Sequence, residues 1–288
     1  MSRDPSVARR LWQRLEVIHA VTYFAPEATG ALRDAGYRGF WMGYFAGRAA
    51  PLGAVGPDVV GALFYNFAPS RVARAIPDAW GFAPPAAALT ARLEGSIAAL
   101  HRVLGEAEGG PDVAAAAELA TRAATSAPPE GRALYAANHA LPWPDEPLAA
   151  LWHAATLLRE HRGDGHVAVL TAAGVSGREA NVVQAAAGVT PREVLVAARD
   201  YADAEWNALA VGLARRGLLT VEGKLTPAGQ RLKEDIERRT DTIALSAYEV
   251  LDDDEIDGLA AALTPLARAV LASGDVPAIT PIGLSLDR

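Results

Sequence analysis

The chain has 288 residues, of which 51% are hydrophobic and 21% charged, so it is long enough to bury a sizeable core. It contains no cysteine, which excludes disulfides, thiolate nucleophiles and thiolate metal sites and predicts a cytoplasmic location. Its formal net charge of -7 argues against a protein that works mainly on nucleic acid or anionic membranes. We find no signal-peptide pattern and no apolar run of about 20 residues, so we expect no membrane contact.

Helical spacing of apolar residues dominates the chain, and we predict a mainly α fold of two related helical halves. Leu11, Leu15 and Ile18 form the first apolar stripe. Glycines and a proline interrupt the helical pattern at 105–112, which places a domain boundary there. We therefore predict an aromatic-rich helical domain at 1–108 and a winged-helix-like domain with C-terminal helices at 113–288.

Short matching segments suggest that the two halves are copies of one unit. Segments 32–34, 59–60 and 69–72 recur as 158–160, 182–183 and 191–194, with offsets between 122 and 126. Chance is the alternative, because alanine and arginine are abundant in both halves. If the duplication is real, we expect the copies to face each other across a cleft.

Aromatic residues are concentrated in the first half, where 13 of the 19 lie between Trp12 and Phe82. One interpretation is a large aromatic core. The other is a small-molecule pocket, because buried tyrosine and tryptophan need polar partners and such pockets combine apolar walls with a few polar groups. The candidate ligand-binding residues of this half are Tyr37, Trp41, Tyr44, Arg48, Phe64, Tyr65 and Asn66. Arg48 would bind an anionic ligand or pair with an acid such as Asp58 or Asp78.

His19 and Tyr23 lie one helical turn apart, just before the aromatic block. A histidine there is a candidate catalytic residue because it titrates near neutral pH, and Tyr23 would assist it. The alternative is a hydrogen-bonded core histidine.

Polar residues also crowd the segment 158–166, where His161, Asp164 and His166 have three interpretations. A metal site is disfavoured, because two histidines five residues apart lie on different sides of a helix, and we predict no metal. Gly163 and Gly165 favour a turn in which Asp164 caps a helix that begins near His166. The third interpretation is that His161, Asp164 and His166 contact a ligand.

No phosphate-binding glycine loop, nucleophile elbow or zinc-protease motif occurs, so we expect no cofactor. A cofactor-free isomerase, cyclase or lyase would need none of these patterns.

The segment 178–239 predicts three helices, a short hairpin around Glu222-Gly223 and a long helix. We expect Thr190 to cap the second of these helices and Asp203 the third, Gly217 to end the third, and Thr226 to start the long one. The residues 213–219 and 225–230 resemble the recognition-helix end, wing and following helix of MarR-type winged-helix proteins.

DNA remains an alternative partner, but the charges disfavour it. The expected recognition helix begins with Asp203, Glu205 and Asn207, and 178–239 carries ten basic and nine acidic residues. A near-neutral surface gains little from counterion release. A dimer that gathers Arg215, Arg216, Arg238 and Arg239 into one stripe would restore DNA binding.

We expect a homodimer, formed through the segment 241–271. Asp252 and Glu255 predict a capping box, and an apolar stripe follows them. The stripe consists of Leu259, Leu263, Leu266 and Val270. Residues 274–288 lack helical spacing and predict an extended tail.

The segments 23–27, 44–53, 64–67, 77–80 and 158–166 resemble an actinobacterial family of helix-turn-helix proteins, the SalK-like family. This resemblance implies a winged-helix-derived fold and an association with natural-product pathways. We therefore expect a small-molecule binding protein for an aromatic or polyketide-like ligand, with or without a cofactor-free reaction. The alternative is a ligand-responsive, MarR-like transcriptional regulator.

Overall fold

Apolar residues at helical spacing fold most of the chain into helices in a computed structural model that describes residues 3–283. The first eight are α1 (Ser6–Phe24), α2 (Pro26–Asp34), α3 (Gly39–Ala49), α4 (Pro57–Leu63), α5 (Pro69–Ala73), α6 (Ala79–Phe82), α7 (Pro85–Leu104) and α8 (Pro111–Ser126). The next are α9 (Ala133–His139), α10 (Pro147–Ala172), α11 (Gly177–Ala186), α12 (Arg192–Arg199), α13 (Asp203–Arg215), α14 (Pro227–Ala244) and α15 (Asp253–Ala272). The mainly α fold is confirmed.

The largest core draws residues from both ends of the chain. The predicted stripe of α1 is confirmed, because Leu11, Leu15 and Ile18 are all fully buried. They belong to one cluster with Leu100 of α7 and Leu151 of α10, which lie on opposite sides of the predicted domain boundary. The division at 109–112 stays a prediction, and helices from both sides of it share this core.

Helix α10 is the central helix, and it runs without a break through the segment where we expected a turn. The predicted turn at Gly163 and Gly165 is therefore wrong. A side chain at Gly165 would place its Cβ atom 2.8 Å from the Cδ1 atom of Ile243, at the end of α14. The glycine at 165 thus allows α10 and α14 to pack closely, which the local sequence pattern does not reveal.

The apolar stripe of α15 packs inside the chain. Leu259, Leu263, Leu266 and Val270 are all buried in the main core, and α15 contacts α1 and α8. The capping box of Asp252 and Glu255 is confirmed. Because the stripe is already covered by the same chain, it does not supply the dimer interface that we expected from it, and the homodimer stays a prediction.

Helices α11, α12 and α13 form a three-helix unit (residues 177–215), and two of its predicted boundaries are confirmed. Gly217 adopts a φ of 72° just after α13, and the Thr226 hydroxyl accepts a hydrogen bond from the Gly229 N–H at the start of α14. The two other predicted caps are wrong. Pro191 occupies the N-cap of α12, while Ala202 occupies that of α13.

The chain reverses after the three-helix unit without forming strands. Leu219 and Leu225 make one antiparallel bridge, and the Thr220 N–H donates to the Lys224 carbonyl at 2.8 Å. No strand occurs in residues 3–283, so the predicted hairpin is reduced to a tight reversal. The loop is too short for more than one β-bridge, because α13 ends and α14 begins immediately beside it.

The segments that recur in the two halves lie only partly in corresponding helices. Val59 and Val182 both lie within short helices, α4 and α11. Leu32, by contrast, lies near the end of α2, whereas Leu158 lies in the middle of α10. The duplication stays a prediction.

The predicted tail is irregular as far as it is described, and its residues 284–288 lie outside the described part. Thr280 is buried, and its carbonyl accepts a hydrogen bond from the Thr190 hydroxyl at 3.2 Å. The tail thus crosses from α15 to the three-helix unit. Among the described helices, none combines the length and the apolar character that crossing a membrane requires.

Two glycines in long helices give a test of this packing. At Gly163 a new Cβ would meet only Glu160 Oε2, at 3.7 Å, whereas at Gly95 it would lie 2.6 Å from the Cα atom of Ala28 on α2. We expect Gly163→Ala to raise the free energy of unfolding by up to about 1 kcal/mol through helix propensity. Gly95→Ala should lower it by about 1–3 kcal/mol through overpacking.

Urea denaturation followed by circular dichroism measures both changes. Equal effects of the two substitutions would contradict the close approach of α2 and α7.

Candidate functional site

A cavity of about 370 Å³ lies beside the three-helix unit. We call it the central cavity. Its walls come from α1, α10, α11 and α14, from the α4–α5 connection and from the tail. The apolar part of the wall includes Leu63, Phe64, Phe67, Leu170, Val175, Val183, Leu232, Ile236 and Ile282.

Charged side chains from four helices and the end of α12 converge on the same cavity. The cationic ones are Arg9, Arg48, Arg159, Arg162, Arg199 and Lys233, and the carboxylates are Glu16, Glu160, Asp164 and Glu237. Apolar walls with converging polar groups are typical of small-molecule sites.

Glu160 of α10 is the centre of this charged network. Its carboxylate accepts hydrogen bonds from Arg48 Nη2 at 3.1 and 3.3 Å and from Arg159 Nη1 at 2.7 Å. Although burial opposes ionisation, the neighbouring Arg159 and Arg48 lower the pKa of Glu160 to about 2. Arg159 also donates to Glu16 at 3.3 Å, so the network joins α1, α3 and α10.

Two carboxylates of α14, Asp241 and Glu237, bind other arginines of the wall. Asp241 accepts hydrogen bonds from Arg9 at 2.8 Å and from Arg162 at 2.9 Å. Glu237 accepts a further one from Arg9 at 3.0 Å. Four of the five arginines in the wall therefore have carboxylate partners.

Arg199 is the arginine of the cavity wall that has no carboxylate partner. It is the last residue of α12, and no carboxylate among the described residues forms an ion pair with it. Its guanidinium lies over the Phe67 ring, 4.1 Å from the centroid, and interacts with the hydroxyl of Tyr44. Its Nε atom is buried without a hydrogen-bond partner. Burial lowers the pKa of Arg199, as expected for a cation that lacks a counter-charge.

Six of the predicted ligand-binding residues line the central cavity, namely Arg48, Phe64, Tyr65, Asn66, Asp164 and His166. Arg48 pairs with Glu160 and with neither Asp58 nor Asp78. The hydroxyl of Tyr65 donates to the Val175 carbonyl at 2.9 Å.

Tyr37, Trp41, Tyr44 and His161 are not part of the wall. The Tyr37 hydroxyl donates to the Ala83 and Pro84 carbonyls at 3.1 and 3.0 Å, so its polar end is satisfied in the core. Trp41 packs its ring against Phe67, with Arg71 over it at 4.3 Å. Tyr44 stands behind the wall, where its hydroxyl accepts a hydrogen bond from Arg48 at 3.1 Å. The aromatic block is thus mainly core, with one edge at the cavity.

His19 and Tyr23 form a buried pair that does not line the cavity. The Thr156 hydroxyl donates to the Trp152 carbonyl, so it accepts from His19 Nδ1 at 2.9 Å. His19 Nε2 is then an acceptor for the Tyr23 hydroxyl, also at 2.9 Å. Burial lowers the pKa of His19 well below its usual value and raises the pKa of Tyr23, so both groups are neutral. Their catalytic role stays a prediction.

The polar residues of the segment 158–166 do not form one cluster, because each contacts a different partner. His161 packs edge-on against Tyr135, and burial lowers its pKa to about 3. His166 Nδ1 bonds to the Thr240 hydroxyl at 2.9 Å, and burial lowers its pKa to about 4. Asp164 accepts a hydrogen bond from the Tyr135 N–H at 3.0 Å, so it caps α9 rather than a helix that begins near His166. In the described residues no group of three or more potential ligands is placed to hold a metal.

Sequence reasoning missed the residues that carry most of the charge in the cavity. They are Glu16, Arg159, Glu160, Arg162, Arg199 and Glu237. One signal was present: Glu16 sits directly between the apolar residues Leu15 and Val17, on a helix whose other buried residues are mostly uncharged. A charged residue inside an apolar stripe indicates a partner elsewhere in the fold.

The exposed face of α13 has few free cations. Arg192 pairs with Asp203 at 2.7 Å, and Arg178 pairs with Glu205 at 2.8 Å. Val211 is 51% exposed in the middle of the helix. The arginines near the start of α13 are therefore neutralised within the unit.

Comparison with known proteins identifies a family. A family model described as a helix-turn-helix family matches residues 8–277. The chain belongs to this helix-turn-helix family. No curated protein and no solved structure matches the chain significantly.

The pKa of Asp164 gives a test of the buried cavity wall. Burial raises this pKa to about 6, so between about pH 4 and pH 6 the folded chain binds more protons than the unfolded chain. The contribution of Asp164 to stability therefore falls as the pH rises through this range. Asparagine keeps the acceptor for Tyr135 without the charge, so we expect Asp164→Asn to be more stable than wild type at pH 8 by about 1–3 kcal/mol.

Urea unfolding at pH 4 and pH 8 measures this difference, which should nearly vanish at pH 4. The exposed Asp145→Asn is the matched control and should change little at either pH. A pH-independent loss of stability in Asp164→Asn would contradict the assignment.

Proposed function

We propose that this helix-turn-helix family member binds a small molecule in the central cavity. The single observation that carries this proposal is the convergence of charged side chains on a cavity of about 370 Å³ whose walls are partly apolar. This size lies within the usual range for ligand pockets. The apolar walls suit an aromatic or polyketide-like body.

Binding is favoured over catalysis by the state of the titratable groups other than Asp164, whose carboxylate is engaged in capping α9. His19 and Tyr23 are buried, neutral and outside the cavity wall, and His166 is held neutral by burial. The arginines of the wall are charged and are suited to hold a ligand rather than to exchange protons with it.

Filling the cavity tests the proposal. A leucine at Gly163 would occupy space in the cavity wall, where a Cβ has only Glu160 Oε2 within 4 Å. We expect the neutral fluorescent probe N-phenyl-1-naphthylamine to bind wild type and to lose at least about tenfold in affinity in Gly163→Leu. Fluorescence titration measures the affinities.

The matched control is Gly212→Leu, on α13, where a new Cβ meets nothing within 4 Å. This variant should bind the probe as wild type does. Circular dichroism checks that both variants fold. Failure of wild type to bind the probe, or equal binding by folded Gly163→Leu, would count against the proposed function.

A ligand-responsive DNA-binding regulator is the second candidate, and the family description favours it. The ion pairs of Arg178 and Arg192 reduce the positive charge that DNA binding would use. We therefore expect no gel retardation of DNA flanking the protein's own gene at about 150 mM salt. A retarded band at that salt, weakened by Arg215→Gln, would favour the regulator instead.

A further inference from the structure

The charges around the central cavity do not balance. Among the described residues, the wall carries six cationic side chains and four carboxylates, and Asp241 behind it adds a fifth carboxylate. His166 is neutral there, because burial lowers its pKa to about 4. The cationic side chains of the wall therefore outnumber the carboxylates, in a protein whose net charge is -7.

The excess can be assigned to one part of the wall. Arg48 and Arg159 share the Glu160 carboxylate, and the Tyr44 hydroxyl that accepts from Arg48 at 3.1 Å also interacts with Arg199. Among the described residues, Glu16 and Glu160 are the carboxylates that form ion pairs with Arg48 and Arg159. The Glu160 carboxylate already accepts from both Arg48 and Arg159, so among the described arginines of the wall Arg199 is the one without a carboxylate partner.

A buried cation without a counter-charge is unfavourable unless an anion or water solvates it. The Phe67 ring covers one face of the Arg199 guanidinium but offers no acceptor oxygen. Arg199 also lines the central cavity, which has room for a ligand that supplies one. Planar guanidinium groups bind carboxylates and related acids through paired hydrogen bonds.

We propose that the ligand of the central cavity is an organic monoanion whose acidic group binds Arg199 and whose apolar body packs against Leu170, Val183 and Leu232. This inference rests on the proposed function and adds the chemical class of the ligand. One arginine of the wall without a carboxylate partner favours one acidic group on the ligand.

The site also joins the ligand to the three-helix unit. Arg178 donates from α11 to the carbonyls of Arg199 and Asp200, at 2.6 and 3.0 Å. Asp200 in turn pairs with Arg71 and Arg74 of the first half. An acid on Arg199 therefore binds where α12 is fastened to both α11 and the aromatic half.

Two probes with the same aromatic body separate charge from shape. 8-Anilino-1-naphthalenesulfonate carries one negative charge, and N-phenyl-1-naphthylamine is its neutral counterpart. We expect wild type to bind the sulfonate at least about tenfold more tightly, because a charge-assisted hydrogen bond in a buried site is worth that much. In Arg199→Gln this preference should fall to about one, with the affinity for the neutral probe unchanged.

Arg199→Lys keeps the charge and should retain most of the preference for the sulfonate. Arg215→Gln removes an exposed arginine of α13 and is the matched control, which should bind as wild type does. Circular dichroism and thermal melting verify that each variant folds.

The outcomes separate the two proposals. If the neutral probe binds in a way that Gly163→Leu blocks, but Arg199→Gln leaves the preference for the sulfonate unchanged, the monoanion inference is wrong and the proposed function stands. If neither probe binds wild type, or Gly163→Leu blocks neither, the proposed function itself fails.

Discussion

The buried carboxylate of Glu160 is the interaction on which the arrangement of the molecule depends. It lies in the middle of the longest helix, α10, and binds Arg48 of α3 and the neighbouring Arg159. Arg159 extends the contact to Glu16 of α1. Removing one member of such a network would leave an uncompensated charge in a desolvated place, which is far more costly than losing an exposed ion pair. The network thus fixes how the aromatic half sits on α10.

Two kinds of packing surround this network and leave the central cavity open. The first is the apolar core shared by α1, α8, α10 and α15, in which short alanine side chains let the helices lie close together. The second is the contact between the α4–α5 connection and α11, which is so close that a Cβ at Gly177 would overlap the Tyr65 carbonyl oxygen. The cavity remains between these contacts because its wall is formed by long charged side chains, which cannot be buried without partners.

Arg178 and Arg216 form most of their contacts within or beside the three-helix unit, which removes charges that a DNA-binding surface would otherwise present. Arg178 holds α11 to the end of α12 and to Glu205 of α13, while Arg216 binds Glu179 and the Gly174 carbonyl. The exposed middle of α13 is left with Val211 and small side chains. Phosphate contacts need cations that are free to approach the backbone, and these two arginines are already engaged in contacts within the protein.

Local pattern alone determined much of this protein: the mainly α fold, the buried stripe of α1, the capping box at Asp252 and the start of α14 at Thr226. Each of these depends on residues within one or two helical turns, so spacing and capping chemistry suffice to predict it. The sequence also indicated Arg48, Phe64 and Asp164 as candidates, since polar groups among aromatic or apolar neighbours need partners.

Only the tertiary structure decided which of these residues meet. Arg48 pairs with Glu160, which lies 112 positions away, and Arg199 reaches the same cavity from a third part of the chain. The glycines at 163 and 165 predict a turn locally, yet packing against α14 keeps them within one helix. Likewise the stripe of α15 is covered by α1 and α8, which no local pattern reveals. Burial and charge pairing are properties of the whole fold, so neither the cavity nor its unmatched arginine follows from local spacing.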